Sequence, residues 1–129
     1  MSQTRKRFSA TYSYPGSFFA ETESRDLASG TLESAIAEQP NSNWYAVAVK
    51  SINERKFVAA NGTEKWLAEG NPEKIGSWIV GEKIHWEDIP DTDENRILRS
   101  NIRVNSKDGY GVKTRLGNWQ IASDYTAVI

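Results

Sequence analysis

Alternating apolar and polar side chains over one short segment constrain the fold of this chain more than any other feature. From Phe8 to Tyr14 every second residue is aromatic or apolar, and serine or threonine stands between them. A period of two puts alternate side chains on opposite faces of an extended strand, so this segment predicts a half-buried strand with its rings inward. Pro15-Gly16 follows and predicts a turn. Residues 17–22 then form either a short returning strand or a packed loop.

Further strand signals, separated by turn residues, recur along the chain. Trp44–Val49 is apolar at every position, which predicts a strand covered on both faces. Asn61-Gly62 is the best two-residue hairpin signal, and Thr63–Leu67 is the returning strand, although a helix capped by Thr63 is a competing interpretation. The other predicted strands are 56–60, 112–116, 119–122 and 125–129. Residues 75–84, interrupted by glycines 76 and 81, form either one irregular strand or a bent pair of strands.

Two short helices are predicted among these strands. In the first, Thr31 is the N-cap and Gln39-Pro40 marks the end. The second spans about 92–101, where Asp91 and Glu94 have the spacing of a capping box and arginines lie toward the end. Because the strands form hairpins and do not alternate with long helices, we expect an α+β fold. It consists of a mostly antiparallel sheet built from hairpins, with two short helices.

Length and the absence of long apolar runs limit the domain organisation. The 129 residues suit a single domain spanning 1–129, with residues 1–6 as a flexible end. No segment approaches the roughly 20 apolar residues of a membrane span, and the basic N-terminus lacks the apolar stretch of a signal peptide. We therefore expect no membrane partner and a cytoplasmic location.

Cysteine and histidine content excludes whole classes of chemistry. The chain has no cysteine and one histidine, His85, so disulfides, iron–sulfur clusters, thiolate zinc sites, cysteine nucleophiles and His-pair metal sites are excluded. We expect no metal, no cofactor and no catalytic residues, although a carboxylate-based enzyme stays open. The 16 lysines and arginines balance 17 aspartates and glutamates to a net charge of −1, which argues against bulk nucleic-acid binding.

Three arginines form the most informative motif. Arg96, Arg99 and Arg103 are spaced by three and four residues and therefore share one face of the predicted second helix if that helix extends to Arg103. Lys113 and Arg115 lie on one side of a predicted strand nearby in the sequence. The planar guanidinium fork suits phosphate, so these residues predict an anion site. A solvated helix face balanced by neighbouring carboxylates is the alternative interpretation, and the spacing alone favours it.

Aromatic and amide side chains beside two predicted turns are the other candidates. Tyr14 and Phe18 flank the first turn, where rings can stack on a base, fill an interface or pack in the core. Asn118 and Trp119 lie at a hairpin turn among cations, and a solvated hairpin with a packed indole is the alternative. The candidate ligand-binding residues are therefore Tyr14, Phe18, Arg96, Arg99, Arg103, Lys113, Arg115, Asn118 and Trp119.

Two stretches carry a family resemblance. Tyr12–Phe19 and Val112–Gln120 resemble small phage-encoded proteins, among them the phage anti-Thoeris sponge family. Members of that family are non-enzymatic and sequester cyclic ADP-ribose-type signals of a bacterial defence system, at sites between the subunits of an oligomer. The resemblance implies a nucleotide-signal sponge with a counter-defence role, and it assigns no ligand residue to a position of this sequence.

The leading functional hypothesis is a non-enzymatic protein that binds a nucleotide-like small molecule and sequesters a phosphate-bearing signal. Its arginines would pair with the phosphates, and its rings would stack on the base. The alternative is a protein-partner module of the inhibitor or immunity type, with exposed aromatic side chains as its main contacts.

We expect the protein to form a homo-oligomer, a dimer or larger. The chain has 5 Trp, 5 Tyr and 4 Phe, and its apolar strands leave an edge that another chain can pair with. Light scattering across micromolar concentrations should give at least twice the 14.5 kDa mass of one chain. A constant mass of one chain would contradict this expectation.

Overall fold

The computed structural model describes residues 3–14, 21–114, 117, 119–120 and 126–128, and the fold is given for these residues. Their backbone forms nine strands, two α-helices and one 3-10 turn over Trp86–Asp88. The strands are β1 (Thr4–Tyr14), β2 (Glu21–Leu27), β3 (Ala46–Val58), β4 (Glu64–Ala68), β5 (Glu73–Val80), β6 (Glu82–His85), β7 (Tyr110–Lys113), β8 (Trp119–Gln120) and β9 (Thr126–Val128). The helices are α1 (Leu32–Ala37) and α2 (Arg96–Asn105).

β3 is the central strand of the larger sheet. β1 pairs antiparallel with one of its edges, while β5 pairs with the first half of the other edge and β4 with the second half. The sheet order is β2-β1-β3-β5-β9, and among the described strands only β9 runs parallel to its neighbour. β6, β7 and β8 form a separate antiparallel sheet, in which β7 and β8 are the predicted hairpin. The α+β fold with a mostly antiparallel sheet is therefore confirmed.

Two strands are longer than their sequence patterns predict. β1 begins at Thr4, so residues 4–6, part of the end predicted to be flexible, pair with β3 in the sheet. β3 joins the strands predicted at 44–49 and 56–60 into one. The apolar alternation does not extend over these added parts. Polar side-chain contacts support their pairing in the sheet instead.

Glu54 is the centre of those polar contacts. Its side chain is 8% exposed, and it accepts a hydrogen bond from Arg5 Nε at 2.8 Å, while Arg7 Nε lies 3.4 Å away. Arg7 also binds Asp26 of β2 at 2.6 Å, and the Arg5 guanidinium lies 4.2 Å from the centre of the Trp66 ring on β4. This chain of contacts links four strands.

Glycine and a hairpin signal explain the bends that follow β3. Gly81 separates β5 from β6 with a φ of 157°, a backbone conformation that favours glycine. At Gly76, the other glycine that interrupts the predicted segment, the register of β5 against β3 shifts, and β5 continues through this position. Gly62 lies in the turn between β3 and β4, so the predicted hairpin is confirmed and the helix interpretation of 63–67 is wrong.

One face of the large sheet packs against α1. Ala10, Tyr12 and Val47 are buried there together with Ala35 of α1 and Trp44. The Tyr12 hydroxyl donates to the Ala35 carbonyl, and its ring meets Trp44 edge-on with 5.3 Å between the centroids. Burial raises the pKa of Tyr12 to about 12, because the charged form would lose its hydration.

The other face of the large sheet packs against the small sheet. Val112 of β7 is buried there with Ala46 of β3 and Ile79 of β5. The opposite face of the small sheet contacts α2, because a Cβ placed on Gly111 would lie 2.7 Å from Ile102 Cδ1. The layers therefore follow the order α1, large sheet, small sheet, α2.

The two helices differ in how well their starts are predicted. Thr31 caps α1 through its side chain, as the sequence predicts. α2 begins four residues later than predicted, and its N-cap, Asn95, makes no side-chain capping bond, so the capping box of Asp91 and Glu94 is wrong. Asp91 pairs with Arg99 instead. α2 ends at Asn105, beyond the predicted end, so all three predicted arginines lie inside it.

Gly111→Ala should loosen the packing of α2 on the small sheet. The added Cβ would lie 2.7 Å from Ile102 Cδ1 and 3.3 Å from Trp119 Cε3. We expect this overpacking to lower the free energy of unfolding by about 1–3 kcal/mol. Ile102→Val removes the Cδ1 atom and by itself should cost about 0.5–1.5 kcal/mol. Denaturant unfolding should show a smaller loss for the double variant than the sum of both single losses, and additive losses would contradict the contact.

Stability should fall in acid partly through Glu54. The hydrogen bond from Arg5, with Arg7 close by, holds the pKa of this carboxyl below its ordinary value, which is about 4.3. A lowered pKa stabilises the folded state fully above the ordinary value, and the contribution disappears as the pH falls through the folded-state pKa. Wild type should therefore be more stable than Glu54→Gln at neutral pH, and the difference should shrink below about pH 4. A pH-independent difference in denaturant unfolding would show that Glu54 has no such role.

Candidate anion-binding site

The three predicted arginines of α2 line one cavity. Arg96, Arg99 and Arg103 surround it together with Ser100 of the same helix and Trp86 of the 3-10 turn, and its volume is about 210 Å³. We call this space the arginine cavity. Residues three, four and seven positions apart share one helix face, so local spacing aligns the cations. The Trp86 indole comes from outside α2, so the tertiary fold brings it to the cavity.

Trp86 reaches the arginines because β6 ends directly before it. Its backbone N–H donates to the Gly109 carbonyl at 3.0 Å, which ties the 3-10 turn to the start of β7. The guanidinium carbons of Arg99 and Arg103 lie 5.5 and 5.7 Å from the centre of the Trp86 ring. Both distances are within the cation–π range, so the ring stabilises two neighbouring cations.

Arg99 is the fixed member of the cluster. Its side chain is 20% exposed, its Nε donates to the Trp86 carbonyl at 3.3 Å, and its Nη1 lies 2.9 Å from Asp91 Oδ1. These contacts anchor the guanidinium between the 3-10 turn and the segment that precedes α2. Arg99 is therefore already oriented before any ligand binds.

Arg96 and Arg103 have donors available for a ligand. Both are exposed, and within the described ranges neither forms an ion pair with a carboxylate. Seven residues of helix separate them by about 10 Å along the axis, with Arg99 between. A guanidinium presents five N–H donors in a planar fork that matches two oxygens of a phosphate. The cavity is therefore suited to an anion with several oxygens.

The lining of the cavity consists mainly of hydrogen-bond donors. Among the described residues, its polar groups are three guanidiniums, the hydroxyl of Ser100 and the indole N–H of Trp86. Guanidinium and indole groups donate hydrogen bonds and do not accept them. This lining therefore offers several donors to an anion.

None of the other predicted ligand residues that the structure describes lines the arginine cavity. Tyr14 packs against the core on the α1 side of the large sheet, where burial raises its pKa. Lys113 and Trp119 lie opposite each other in the pair of β7 and β8, and neither lines the cavity. Trp119 packs over Gly111 instead. The remaining three lie outside the described residues, namely Phe18, Arg115 and Asn118.

Sequence reasoning missed two residues of the cavity, Trp86 and Ser100. Ser100 lies four residues after Arg96 and three before Arg103, so the same helical spacing could have found it. Trp86 has no comparable signal. Its place beside α2 depends on the pairing of β6 with β7, which joins residues more than twenty positions apart.

A second, larger cavity lies beside the start of β1. Its volume is about 520 Å³, and it is lined by Thr4, Arg5, Lys6, Asn53 and Glu69. Two of these charges already have partners, because Arg5 binds Glu54 and Glu69 accepts a hydrogen bond from Arg55 Nη2 at 2.8 Å. This cavity is therefore less suited to an anion than the arginine cavity.

Within the part of the chain that the structure describes, no group of three or more His, Cys, Asp or Glu side chains could hold a metal ion. None of the described helices has the length and apolar character needed to cross a membrane. Comparison with protein-family models, curated proteins and solved structures finds no match to this chain.

Proposed function

We propose that this protein binds a phosphate-bearing small molecule, such as a nucleotide signal, and sequesters it without changing it chemically. The observation that supports this function is the convergence of Arg96, Arg99 and Arg103 with Trp86 on one cavity. The proposal includes a cytoplasmic location and assembly into a homo-oligomer.

The arginines have different roles in this proposal. Arg99, whose Nε donates to the Trp86 carbonyl, is preorganised, so it loses little side-chain entropy when the ligand binds. Arg96 and Arg103 approach from the exposed sides and donate to further phosphate oxygens. The base lies against the Arg103 guanidinium and the Trp86 ring, because guanidinium and indole both offer flat faces.

Sequestration of a defence signal is the setting that we propose for this binding. The stretches that resemble the phage sponge family extend over residues outside the described ranges, and Val112 in the second stretch is buried between the sheets. The arginine cavity lies outside both stretches. The support for ligand binding therefore comes from α2 and Trp86, and the resemblance suggests only the biological setting.

A protein partner is the second candidate, favoured by two exposed aliphatic side chains. Ile97 and Val104 are 74% and 72% exposed, and their spacing of seven residues places them on one face of α2. The arginine face lies directly beside them. An inhibitor- or immunity-type module would use the aliphatic pair as its anchor and the arginines as a polar rim.

Calorimetric titration with cyclic nucleotides, ADP-ribose derivatives and inorganic pyrophosphate tests the ligand proposal. Arg99→Ala should weaken binding by about 1.5–3 kcal/mol, because it removes charge-assisted hydrogen bonds. Arg25→Ala is the matched control, since Arg25 is also a partly exposed arginine that pairs with one carboxylate, at 2.9 Å. The control should bind as wild type does, and added salt should weaken binding in both.

The outcomes separate the candidates. If no ligand of the panel produces heat with wild type, the small-molecule proposal fails for that panel. If binding survives the joint loss of Arg96, Arg99 and Arg103, the function stands and the site is elsewhere. For a protein partner, Ile97→Ser combined with Val104→Ser should remove the interaction and leave nucleotide binding unchanged.

A further inference from the structure

We propose that Asp91 is an internal competitor for the ligand phosphate and thereby sets the affinity of the arginine cavity. This inference rests on the proposed function of that cavity. Asp91 precedes α2 by five residues, and its Oδ1 lies 2.9 Å from Arg99 Nη1. The carboxylate therefore already occupies one of the donors that a phosphate would use.

A phosphate on Arg99 would have to share a nitrogen with Asp91. A bidentate contact to phosphate needs two guanidinium nitrogens side by side. Nε already donates to the Trp86 carbonyl at 3.3 Å and one N–H of Nη1 pairs with Asp91, so the pair of nitrogens that remains is Nη1 with Nη2. A phosphate on this pair would lie beside the Asp91 carboxylate on Nη1, and because the two anions repel each other, binding is strongest when an acceptor of Arg99 is replaced.

Asp91 is the acceptor that leaves more easily. The Trp86 carbonyl belongs to the backbone of the 3-10 turn, which is tied to Gly109 by a hydrogen bond of 3.0 Å. The Asp91 side chain is 80% exposed, so rotation about its own bonds carries the carboxylate into water. Breaking one exposed pair of this kind is a small loss, which several charge-assisted bonds to a phosphate exceed.

The competition also affects selectivity. Asp91 adds one negative charge to a cavity lined by three guanidiniums. A singly charged anion that displaces Asp91 from Arg99 replaces one negative charge by another, so it gains no electrostatic attraction from the exchange. A phosphate dianion or a diphosphate brings more charge than it displaces, so the carboxylate favours multiply charged groups over monovalent anions.

Titration of wild type, Asp91→Asn and Asp93→Asn with inorganic pyrophosphate tests the inference. Asp91→Asn should raise the affinity about threefold to fivefold, the factor that corresponds to losing one exposed ion pair. Asp93→Asn removes the same charge two residues away, from a side chain that forms no hydrogen bond or ion pair among the described residues. This control should change the affinity by less than about 1.5-fold at physiological salt, where exposed charges are screened.

A double-variant cycle isolates the route of the effect. Because the carboxylate acts through Arg99, Asp91→Asn should leave the affinity unchanged when Arg99 is already replaced in Arg99→Ala. A purely structural role of Asp91 would appear in both backgrounds. Thermal unfolding of each variant without ligand shows whether all of them fold.

Each result counts for or against Asp91 as the competitor. Equal gains in Asp91→Asn and Asp93→Asn, or weaker binding by Asp91→Asn, would overturn the inference, while binding by wild type would leave the proposed function standing. If neither wild type nor Asp91→Asn binds pyrophosphate, the arginine cavity is no phosphate site, and the inference falls with the proposed site.

Discussion

The central strand β3 is the constraint on which the rest of the structure depends. Its backbone pairs with β1 along one edge and with β5 and β4 along the other. Successive side chains of a strand point to opposite faces, so the apolar run at its start needs cover on both sides. Val47 is covered from the side of α1 and Trp44, and Ala46 is covered by the small sheet through Val112. Packing of α1 on one face of the large sheet and of the small sheet on the other face produces the layered order of the fold.

The small sheet in turn positions the arginine cavity. Val112 holds its inner face on the large sheet, and Gly111, the preceding residue, lets Ile102 of α2 approach the outer face closely. α2 therefore lies beside the end of β6, where Trp86 begins the 3-10 turn. The geometry of the cavity thus depends on a close helix–sheet contact that contains none of its lining residues. A change in that contact would shift the cations of α2 relative to the indole.

The two arginine clusters of this protein show how the burial of a carboxylate decides what arginine does. Arg5 and Arg7 share Glu54, which is almost fully buried, and together they hold β1 to β3 and its neighbours. At the arginine cavity the carboxylate is Asp91, which is largely exposed and contacts one guanidinium. A buried carboxylate cannot leave without an uncompensated charge, whereas an exposed one can move into water. The first cluster is therefore structural, and the second keeps donors available.

The sequence by itself determined the features whose cause lies within a few residues. The alternation from Phe8 to Tyr14 specified a strand, Asn61-Gly62 specified a hairpin, and the spacing of the arginines specified one helix face. Only the tertiary structure decided the full length of β3, the start of α2 and the place of Trp86 beside the arginines. In α2 the carboxylate of Asp91 binds Arg99 and does not cap the helix, so a tertiary ion pair replaces the local capping pattern. These outcomes depend on contacts between groups far apart in the chain, and such contacts override local preferences that a sequence pattern can display.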